Sequence, residues 1–405
     1  MKIKFYTLGC KVNQYDTQSI RERFLRHGFK EAKSNHKAGT YLINTCSVTS
    51  SADRKSREII RRCIRENPHA RIIVTGCLVK KDAPMVAQIK GVSLIVSKDF
   101  FCEGISNFSG HTRVFLKIQD GCNNFCSYCK VPLVRGRSRS RPLDEILREA
   151  KFLAGKGFKE FVLTGICLGA YGRDLKDKQD LVSLISALEA VRDIVRIRLS
   201  SIEAGDLSDK LINKIAKSKK VCPHLHIPIQ SGDDQILKAM NRRYTSSKYL
   251  SLIKRIKTLI PKAAITTDVL VGFPGESEEN FQNTVNLIRK ICPLKVHIFP
   301  YSPRKGTKAA DLRLSLSPKV MAARIGALKS IEIECAMKYK RQFLNKNLEV
   351  LIEGRNKKDP VYWEGYSRNY IEFLVKSGNN LKNQLIFCRP SRMAEGRLIS
   401  SYYNF

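Results

Sequence analysis

The sequence has few acidic side chains for its size. It contains 37 Asp and Glu against 73 Lys and Arg, which gives a net charge of +36 over 405 residues. An enzyme that acts on small metabolites has no need of this imbalance, whereas a polyanionic partner releases counterions when lysine and arginine neutralise its phosphates. The composition therefore favours a nucleic acid as partner over the alternative of a generally basic proteome.

Long apolar runs are also missing. No stretch approaches the roughly 20 residues that a membrane-spanning helix needs, and the opening MKIKFYTLGC enters a strand pattern without the apolar core of a signal peptide. We therefore expect a cytoplasmic protein with no membrane partner. In a reducing compartment the 13 cysteines do not predict a disulfide framework, so metal or redox chemistry becomes the first question.

Three segments differ in pattern, and none is of low complexity. Residues 1–105 and residues 106–338 alternate strand-like and helix-like runs, which predicts α/β units with parallel strands. The six units of the second segment fit either a doubly wound sheet or an incomplete βα barrel, because periodicity does not distinguish the two. Residues 339–405 have short alternating runs split by Gly, Asn and Pro, which predicts a small all-β domain.

The stretch QDGCNNFCSYCKVPLVRGRSRSR carries three closely spaced cysteines. Cys122, Cys126 and Cys129 form C-x3-C-x2-C directly after a predicted strand, so their thiolates can converge on one metal centre. Zinc normally takes a fourth ligand, and no Cys or His follows nearby. Iron–sulfur clusters also usually have four protein ligands, so a missing one leaves an iron open to a small molecule.

This motif, with Tyr128 before its last cysteine, resembles that of the radical S-adenosylmethionine enzymes. The resemblance implies a partial or complete βα barrel and a [4Fe–4S] cluster whose open iron binds S-adenosyl-L-methionine and cleaves it to a 5′-deoxyadenosyl radical. The stretches LTGICLGAYG, SSIEA, HIPIQSGDDQILKAMNRRYT and DVLVGFPGESEENF continue the resemblance along later strands. We expect six residues near the S-adenosylmethionine, with turn and packing roles as the alternative: Tyr128, Gly165, Ser201, Glu203, Gln230 and Arg242.

Three further cysteines each follow an apolar run in the first segment. FYTLGC, YLINTC and RIIVTGC end at Cys10, Cys46 and Cys77. The carboxyl ends of parallel strands emerge at one edge of a sheet, so the three thiols can meet there. One cysteine at such a place is usually a buried core residue, but three at equivalent positions predict a second cluster site.

A domain with this triad, a radical barrel and a small β tail together resemble the methylthiotransferases over nearly the whole chain. The resemblance implies a second [4Fe–4S] cluster that carries sulfur, a TRAM-like RNA-binding tail, a flavodoxin- or ferredoxin-like electron donor and a sulfur donor. GCKVNQYDT is similar to the branch that modifies C2 of N6-threonylcarbamoyladenosine at position 37 of tRNA. The alternatives are the isopentenyladenosine branch and the branch that modifies a ribosomal-protein aspartate.

Two sets of residues are candidates for RNA contact: the arginines of RGRSRSR (Arg135, Arg137, Arg139 and Arg141) and the single tryptophan, Trp363. The arginines can hold phosphates or form a solvated loop, and Trp363 can stack on bases or fill a small core. Asn13 and Asp16 are interpreted as a helix N-terminus rather than as site residues. The other cysteines are interpreted as structural: Cys63, Cys102, Cys167, Cys222, Cys292, Cys335 and Cys388.

A protein of a different class, a zinc-bearing RNA-binding protein without catalysis, would also account for the charge and the β tail. It does not account for two separate triads that each lack a fourth ligand, because structural zinc sites are almost always four-coordinate. We therefore predict an enzyme.

Overall fold

The first part of the chain forms a parallel sheet with helices on its connections. This computed structural model describes residues 1–33, 36–97, 104–177, 179–312 and 316–402, so the prediction for Cys102 lies outside the described residues. The first elements are β1 (Lys2–Thr7), α1 (Lys11–Arg26), β2 (Lys30–Glu31), β3 (Thr40–Thr45), α2 (Ser50–Glu66), β4 (Arg71–Gly76), α3 (Cys77–Lys81), α4 (Ala83–Ala87) and β5 (Leu94–Ile95). Their strands are parallel in the order β2-β1-β3-β4-β5.

The second part forms an open barrel. Its elements are β6 (Arg113–Lys117), β7 (Gln119–Asp120), α5 (Val131–Arg135), β8 (Arg139–Ser140), α6 (Leu143–Gly155), β9 (Glu160–Thr164), α7 (Leu181–Glu189), β10 (Arg196–Leu199), α8 (Asp209–Lys217), β11 (His224–His226), α9 (Asp234–Ala239), α10 (Ser246–Leu259), β12 (Ala264–Val271), α11 (Glu278–Ile291), β13 (Lys295–Pro300) and α12 (Pro318–Arg341). Parallel pairing runs β6-β9-β10 and β11-β12-β13, and the bridges Ile197–Val221 and Ser201–His226 join β10 to β11. Because the six strands follow chain order without reversal, they form an incomplete βα barrel and not a doubly wound sheet.

The last part is a small β domain. Its strands are β14 (Leu348–Arg355), β15 (Tyr362–Ser367), β16 (Glu372–Lys376), β17 (Leu385–Cys388), β18 (Arg392–Ala394) and β19 (Arg397–Ser401). They pair in the order β17-β14-β15-β16-β19-β18, and only β16 and β19 are parallel among the described pairs. The predicted fold class, an N-terminal parallel sheet, a partial barrel and a C-terminal all-β domain, is confirmed.

A buried ion cluster joins the β domain to the amino ends of the barrel strands. Glu160, the first residue of β9, accepts hydrogen bonds from Arg198 at 2.5 Å and from Arg196 at 3.4 Å. Arg196 also bonds Glu349 of β14 at 2.7 Å, and Arg198 donates to the carbonyl of Arg368. Three arginines therefore compensate one buried carboxylate, because Arg113 lies 3.9 Å from it as well. They hold the pKa of Glu160 down at about 2 despite its burial.

The start of α1 differs from the expectation. The helix begins at Lys11, so Asn13 and Asp16, interpreted as capping residues, lie inside it and are buried. The side-chain amide of Asn13 donates to the carbonyl of Thr45 at 3.0 Å, and Asp16 pairs with Lys117 of the barrel at 2.6 Å. The capping interpretation was wrong because tertiary partners on β3 and β6 use these polar groups.

Most other predicted elements lie close to their expected places. The predicted helix over 142–157 is α6, and the apolar strand that precedes Cys77 is β4. The domain limits at residues 105 and 338 stay predictions; α12 runs past the second limit to Arg341. Within the described part of the chain, no helix combines the length and the apolarity needed to cross a bilayer.

Candidate cluster sites at the domain junction

Strand register places Cys46 next to Cys77. Thr45, the last residue of β3, pairs with Gly76, the last residue of β4, and each cysteine is the next residue in its strand connection. Neighbouring strands lie about 4.8 Å apart, so the two cysteines start from adjacent positions at the same sheet edge. Both cysteines are buried.

Gly9 lets Cys10 approach this pair. Its φ of +97° lies in the left-handed region that favours glycine, and a Cβ on it would meet Sγ of Cys46 at 2.7 Å. Cys10 follows at the N-cap of α1 and is exposed. The three predicted cysteines therefore meet at the carboxyl edge of the N-terminal sheet.

The second triad lies in the loop between β7 and α5. The amide of Cys122 donates to the carbonyl of Gly136 at 3.1 Å, and the amide of Cys129 donates to the carbonyl of Cys126 at 3.0 Å. Gly121 has a φ of +74°, and a Cβ there would collide with the carbonyl of Arg137. Backbone hydrogen bonds thus tie the loop to Gly136 after α5 and, from the amide of Ser127, to the carbonyl of Met240 after α9. The three thiols are half-buried.

The spacing of the thiols fits a cluster better than a single ion. Among the described residues, one group brings three Cys, His, Asp or Glu ligand atoms within 4.8 Å of one another, and it is His226, Asp268 and His297. Neither cysteine triad is that compact, whereas ligands 2.3 Å from a tetrahedral zinc lie only about 3.8 Å apart. Such spacing leaves room for a multi-iron cluster. None of the six thiols is in a disulfide within the described part of the chain.

Burial makes several of these thiols poor acids without a metal. It raises the pKa of Cys46 to about 11 and that of Cys129 to about 12. A cation at each triad would compensate for this cost, because a metal-bound thiol is deprotonated. Cys122 differs: a hydrogen bond with the thiol of Cys167 is the main cause that lowers its pKa, to about 7.

Arg135 connects the two sites. It ends α5, directly after the barrel triad, and its side chain is 1 % exposed. Nη2 lies 3.7 Å from Sγ of Cys10, and Nη1 bonds Asp120 at 2.8 Å. Arg135 is therefore not available to RNA phosphates, which corrects the prediction, because Asp120 and the N-terminal domain enclose its guanidinium.

A second arginine lies beside the barrel triad. Nη1 of Arg242 lies 3.5 Å from Sγ of Cys126, and the guanidinium pairs with Glu203 at 2.6 Å. Nη2 also donates to the carbonyl of Pro228 at 3.1 Å. Each triad thus has one buried guanidinium against one of its sulfurs.

The other residues predicted near S-adenosylmethionine lie at the same end of the barrel. Gly165 follows β9, and Ser201 pairs with His226 across the β10–β11 junction. Gln230 has a φ of +70° and bridges Val269 of β12. Tyr128 packs on an apolar cluster that includes Phe273. The structure brings together Glu203 and Arg242; contact of all six with the cofactor stays a prediction.

Comparison with known protein families matches two parts of the chain. Residues 116–288 match the radical SAM superfamily, and residues 2–97 match an uncharacterized protein family, UPF0004. The chain is 38 % identical to threonylcarbamoyladenosine tRNA methylthiotransferase MtaB of Bacillus subtilis, over 95 % of this chain and 92 % of the relative. The chain belongs to the radical SAM tRNA methylthiotransferases. This confirms the predicted family and an enzyme of this type.

Other relatives include MtaB of Aquifex aeolicus, 36 % identical over 88 % of this chain and 94 % of the relative. The tRNA-2-methylthio-N(6)-dimethylallyladenosine synthase of Alkaliphilus oremlandii is 35 % identical over 91 % and 85 %. Among solved structures, the radical S-adenosylmethionine methyltransferase TsrM from Kitasatospora setae has a TM-score of 0.56 at 12 % identity, covering 76 % of each chain. At that identity the likeness concerns the fold alone.

Two residues of this methylthiotransferase site were missed from the sequence. The side-chain oxygen of Gln119 accepts from the amides of Ile166 and Cys167, both at 2.9 Å, and its Nε2 donates to the carbonyl of Gly121. It therefore ties the turn after β9 to the cysteine loop. Its only sequence signal is its position, three residues before Cys122.

Arg304 ties the barrel to the N-terminal triad. It pairs with Asp53 of α2 at 2.6 Å and donates to the carbonyl of Ser47 at 2.8 Å, one residue after Cys46. No sequence signal could have found it, because its partners lie some 250 residues earlier.

The remaining RNA candidates divide by exposure. Arg137 and Arg139 are exposed, whereas Arg141 is partly buried against Glu149 at 2.8 Å. Trp363 is 4 % exposed in the core of the β domain, with Arg355 4.2 Å from its ring centroid. The prediction that Trp363 stacks on a base was wrong, because the ring fills the core of the β domain.

Cys167 lies at the radical site and not in a remote core. Its Sγ is 3.4 Å from Asp206, and its thiol hydrogen-bonds Cys122. The structural interpretation therefore holds only for cysteines away from both triads. Four of these are buried (Cys63, Cys222, Cys335 and Cys388) and Cys292 is half-buried.

A cavity of about 680 Å³ opens within the barrel, in the size range of small-ligand sites. Its walls come from all three domains: Lys11 from α1, the histidines of β11, and Tyr366 and Tyr370 from the β domain. His226 lies 3.2 Å from Asp268 on the neighbouring strand. The cavity thus offers polar and aromatic contacts.

Proposed function

We propose that the protein transfers a methylthio group to C2 of N6-threonylcarbamoyladenosine at position 37 of tRNA. The observation that carries the proposal is the junction of two cysteine triads, joined by the contact of Arg135 with Cys10. The proposal is supported by relatives named for threonylcarbamoyladenosine, which reach 38 % identity, against 35 % for relatives named for dimethylallyladenosine. The net charge of +36 suits a tRNA substrate.

Cys122, Cys126 and Cys129 would hold one [4Fe–4S] cluster, and the triad at the N-terminal sheet edge (Cys10, Cys46 and Cys77) would hold the other. When bound, the barrel cluster supplies the electron that cleaves S-adenosyl-L-methionine, and the other cluster supplies a place for the sulfur that is transferred. An adenine C2–H bond is too weakly acidic for ordinary base chemistry, which is why radical chemistry suits this target.

The chain's own residues position and shield this chemistry. Gln119 holds the cysteine loop against the turn at Gly165, where the methionine part of the cofactor is expected. Arg242 places positive charge 3.5 Å from Cys126 and is itself oriented by Glu203. Arg135 closes the junction between the triads, where its burial excludes water.

The experiment is nucleoside mass spectrometry of tRNA from a strain that lacks the gene and is complemented with variants. The wild type should restore the methylthio derivative of N6-threonylcarbamoyladenosine. In purified enzyme, Cys126→Ala should stop S-adenosylmethionine cleavage, whereas Cys46→Ala should keep cleavage and lose sulfur insertion. Full thiomethylation by Cys46→Ala would overturn the assignment of the second cluster. A methylthio group found only on dimethylallyladenosine would overturn the substrate assignment.

The proposed reaction also needs an electron donor, a sulfur donor and a location in the cell. A flavodoxin- or ferredoxin-like protein would supply the electron, and a separate sulfur donor would restore the sulfur after each turnover. Both donors stay predictions, as does the cytoplasmic location, which was predicted from the lack of long apolar runs and of a signal-peptide pattern. Pull-down of the electron donor on the reconstituted enzyme and cell fractionation would test them.

A further inference from the structure

Among the described residues, one cation that lines the barrel cavity makes no hydrogen bond or ion pair. Five lysine or arginine side chains line the cavity. Four of them are engaged: Arg113 bonds Glu353 at 2.5 Å, Arg198 bonds Glu160 at 2.5 Å, Lys295 pairs with Glu332 at 2.6 Å, and Lys340 donates to the carbonyl of Gly396 at 2.6 Å. The ammonium of the fifth, Lys11, has no hydrogen bond or ion pair among the residues that the structure describes.

Lys11 is also placed beside the candidate sulfur site. It is the first residue of α1 and follows Cys10 directly, so the two Cα atoms are about 3.8 Å apart. Its side chain is exposed, and the surface that it exposes lines the cavity. A molecule that contacts this ammonium is therefore held by the residue that follows Cys10, a member of the N-terminal triad.

We propose that Lys11 binds the carboxylate of the N6-threonylcarbamoyl group and thereby selects the substrate. This inference rests on the proposed function. In adenine, C2 and the N6 substituent flank N1, so they face the same edge of the base. When C2 faces the sulfur site, the substituent's carboxylate can reach a cation beside Cys10.

The chemistry of the substituent explains the selection. The threonylcarbamoyl group carries one negative charge, and an ammonium–carboxylate hydrogen bond is among the stronger polar contacts. A dimethylallyl group is apolar and would leave the ammonium without a partner once the substrate fills the site. Sites built to bind a polar group discriminate strongly against ligands that lack it. Lysine suits this task because its flexible stem carries a single point charge.

The test compares RNA ligands on the reconstituted full-length enzyme. Anticodon stem-loop RNAs would carry, at position 37, threonylcarbamoyladenosine, its neutral methyl ester, or unmodified adenosine. The wild type should bind the acid about tenfold more tightly than the ester. Lys11→Gln should abolish this ratio while ester affinity stays unchanged, and Lys11→Arg should restore most of it. Lys295→Gln is the matched control, because that cation lines the same cavity but is already paired, and it should keep the ratio.

Each other result contradicts the inference. If Lys11→Gln keeps the acid-to-ester ratio, another group reads the carboxylate. If it weakens all three RNAs equally, Lys11 contacts the RNA backbone, and if it raises only the KM for S-adenosylmethionine, it contacts the cofactor. These outcomes leave the proposed function intact, whereas a wild type that modifies only dimethylallyladenosine overturns the function itself.

Discussion

Cys122, Cys126 and Cys129 occupy one loop of eight residues, whereas Cys10, Cys46 and Cys77 end three strands spread over 68 residues. The thiols of the loop are brought close by their short spacing in the chain, whereas the strand ends are aligned by sheet register. The same three-thiol arrangement can therefore arise from local spacing or from the packing of a whole domain. The first kind is visible as a motif, and the second becomes visible only when the strands are compared.

The two triads also differ in how their arginines are held. Arg242 and its partner Glu203 both belong to the barrel, so the barrel triad carries its own positive charge. Arg135 comes from the barrel but contacts Cys10 of the N-terminal domain. The environment of the N-terminal triad is thus completed only when the two domains dock.

The largest expected effect concerns the clusters themselves. Reconstituted wild-type protein should contain about eight irons per chain, since each triad would hold a four-iron cluster. Cys126→Ala and Cys46→Ala should each retain about four, with the other cluster intact. Iron analysis and Mössbauer spectra of the anaerobic protein measure this. Zinc in place of iron would contradict both sites, and an unchanged iron content in Cys46→Ala would contradict the second alone.

The docking of the N-terminal domain on the barrel should depend on Arg135. Replacing it with Met removes its hydrogen bond to Asn13 of the N-terminal domain and leaves the buried Asp120 with Lys117 as its remaining cation. Breaking a buried ion pair costs at most about 3–5 kcal/mol, and the remaining lysine should keep the loss at the lower end. Urea unfolding measures the free-energy change. Arg137→Met is the control, because that exposed arginine two residues later should change stability by no more than about 0.5 kcal/mol. Equal effects of the two substitutions would mean that Arg135 does not join the domains.

The ion cluster around Glu160, at the amino ends of the barrel strands, contains no residue of either triad. Its effect on stability can therefore be compared with the effects of changes at the triads. The pKa of Glu160 is lowered from 4.5 to about 2 in the folded protein, so its contribution is complete above the unfolded pKa and is lost as the pH falls from 4.5 toward 2. Glu160→Gln should lower the melting temperature at neutral pH and flatten its decline over that acidic window. Thermal scans at several pH values measure this. A decline as steep as that of the wild type would assign acid lability to other carboxylates.

The smallest expected effect concerns the reduction potential of the barrel cluster. Arg242→Gln removes a positive charge 3.5 Å from Cys126 and should lower the potential of the barrel cluster on the order of 60 mV, the one-electron equivalent of about 1.4 kcal/mol. Electron paramagnetic resonance titration of the anaerobic protein separates the two clusters. The signal of the N-terminal cluster should not move. A shift of both signals would mean that the two sites are coupled electrostatically.

The substrate test connects the N-terminal triad with the barrel cavity, because Lys11 follows Cys10 and lines that cavity. Lys11 follows Cys10 of the N-terminal triad and makes no hydrogen bond or ion pair with the described residues, whereas Lys130, which follows Cys129 of the barrel triad, is buried. The proposal therefore places the substrate's charged group on the N-terminal side. The ratio of acid to ester binding in Lys11→Gln is therefore a test of which triad faces the modified base.

The sequence by itself determined the fold class and the family, and it singled out six cysteines as candidate cluster ligands. Alternating strands and helices, the C-x3-C-x2-C spacing and three strands that end in cysteine are local patterns, so each could be recognised without knowing what packs against it. Glycine positions such as Gly9 support this, since a left-handed backbone is itself a local property.

Only the tertiary structure decided the roles of residues whose partners are distant in the chain. Arg135 and Arg137 are both arginines of one basic run, yet one is buried against Asp120 and the other is exposed. Cys167 resembles other structural cysteines but lies against Cys122. Burial and pairing depend on which elements dock together, and contacts such as that of Arg304 with Asp53 span 251 residues. No local pattern encodes such contacts, because they arise only when the three domains assemble.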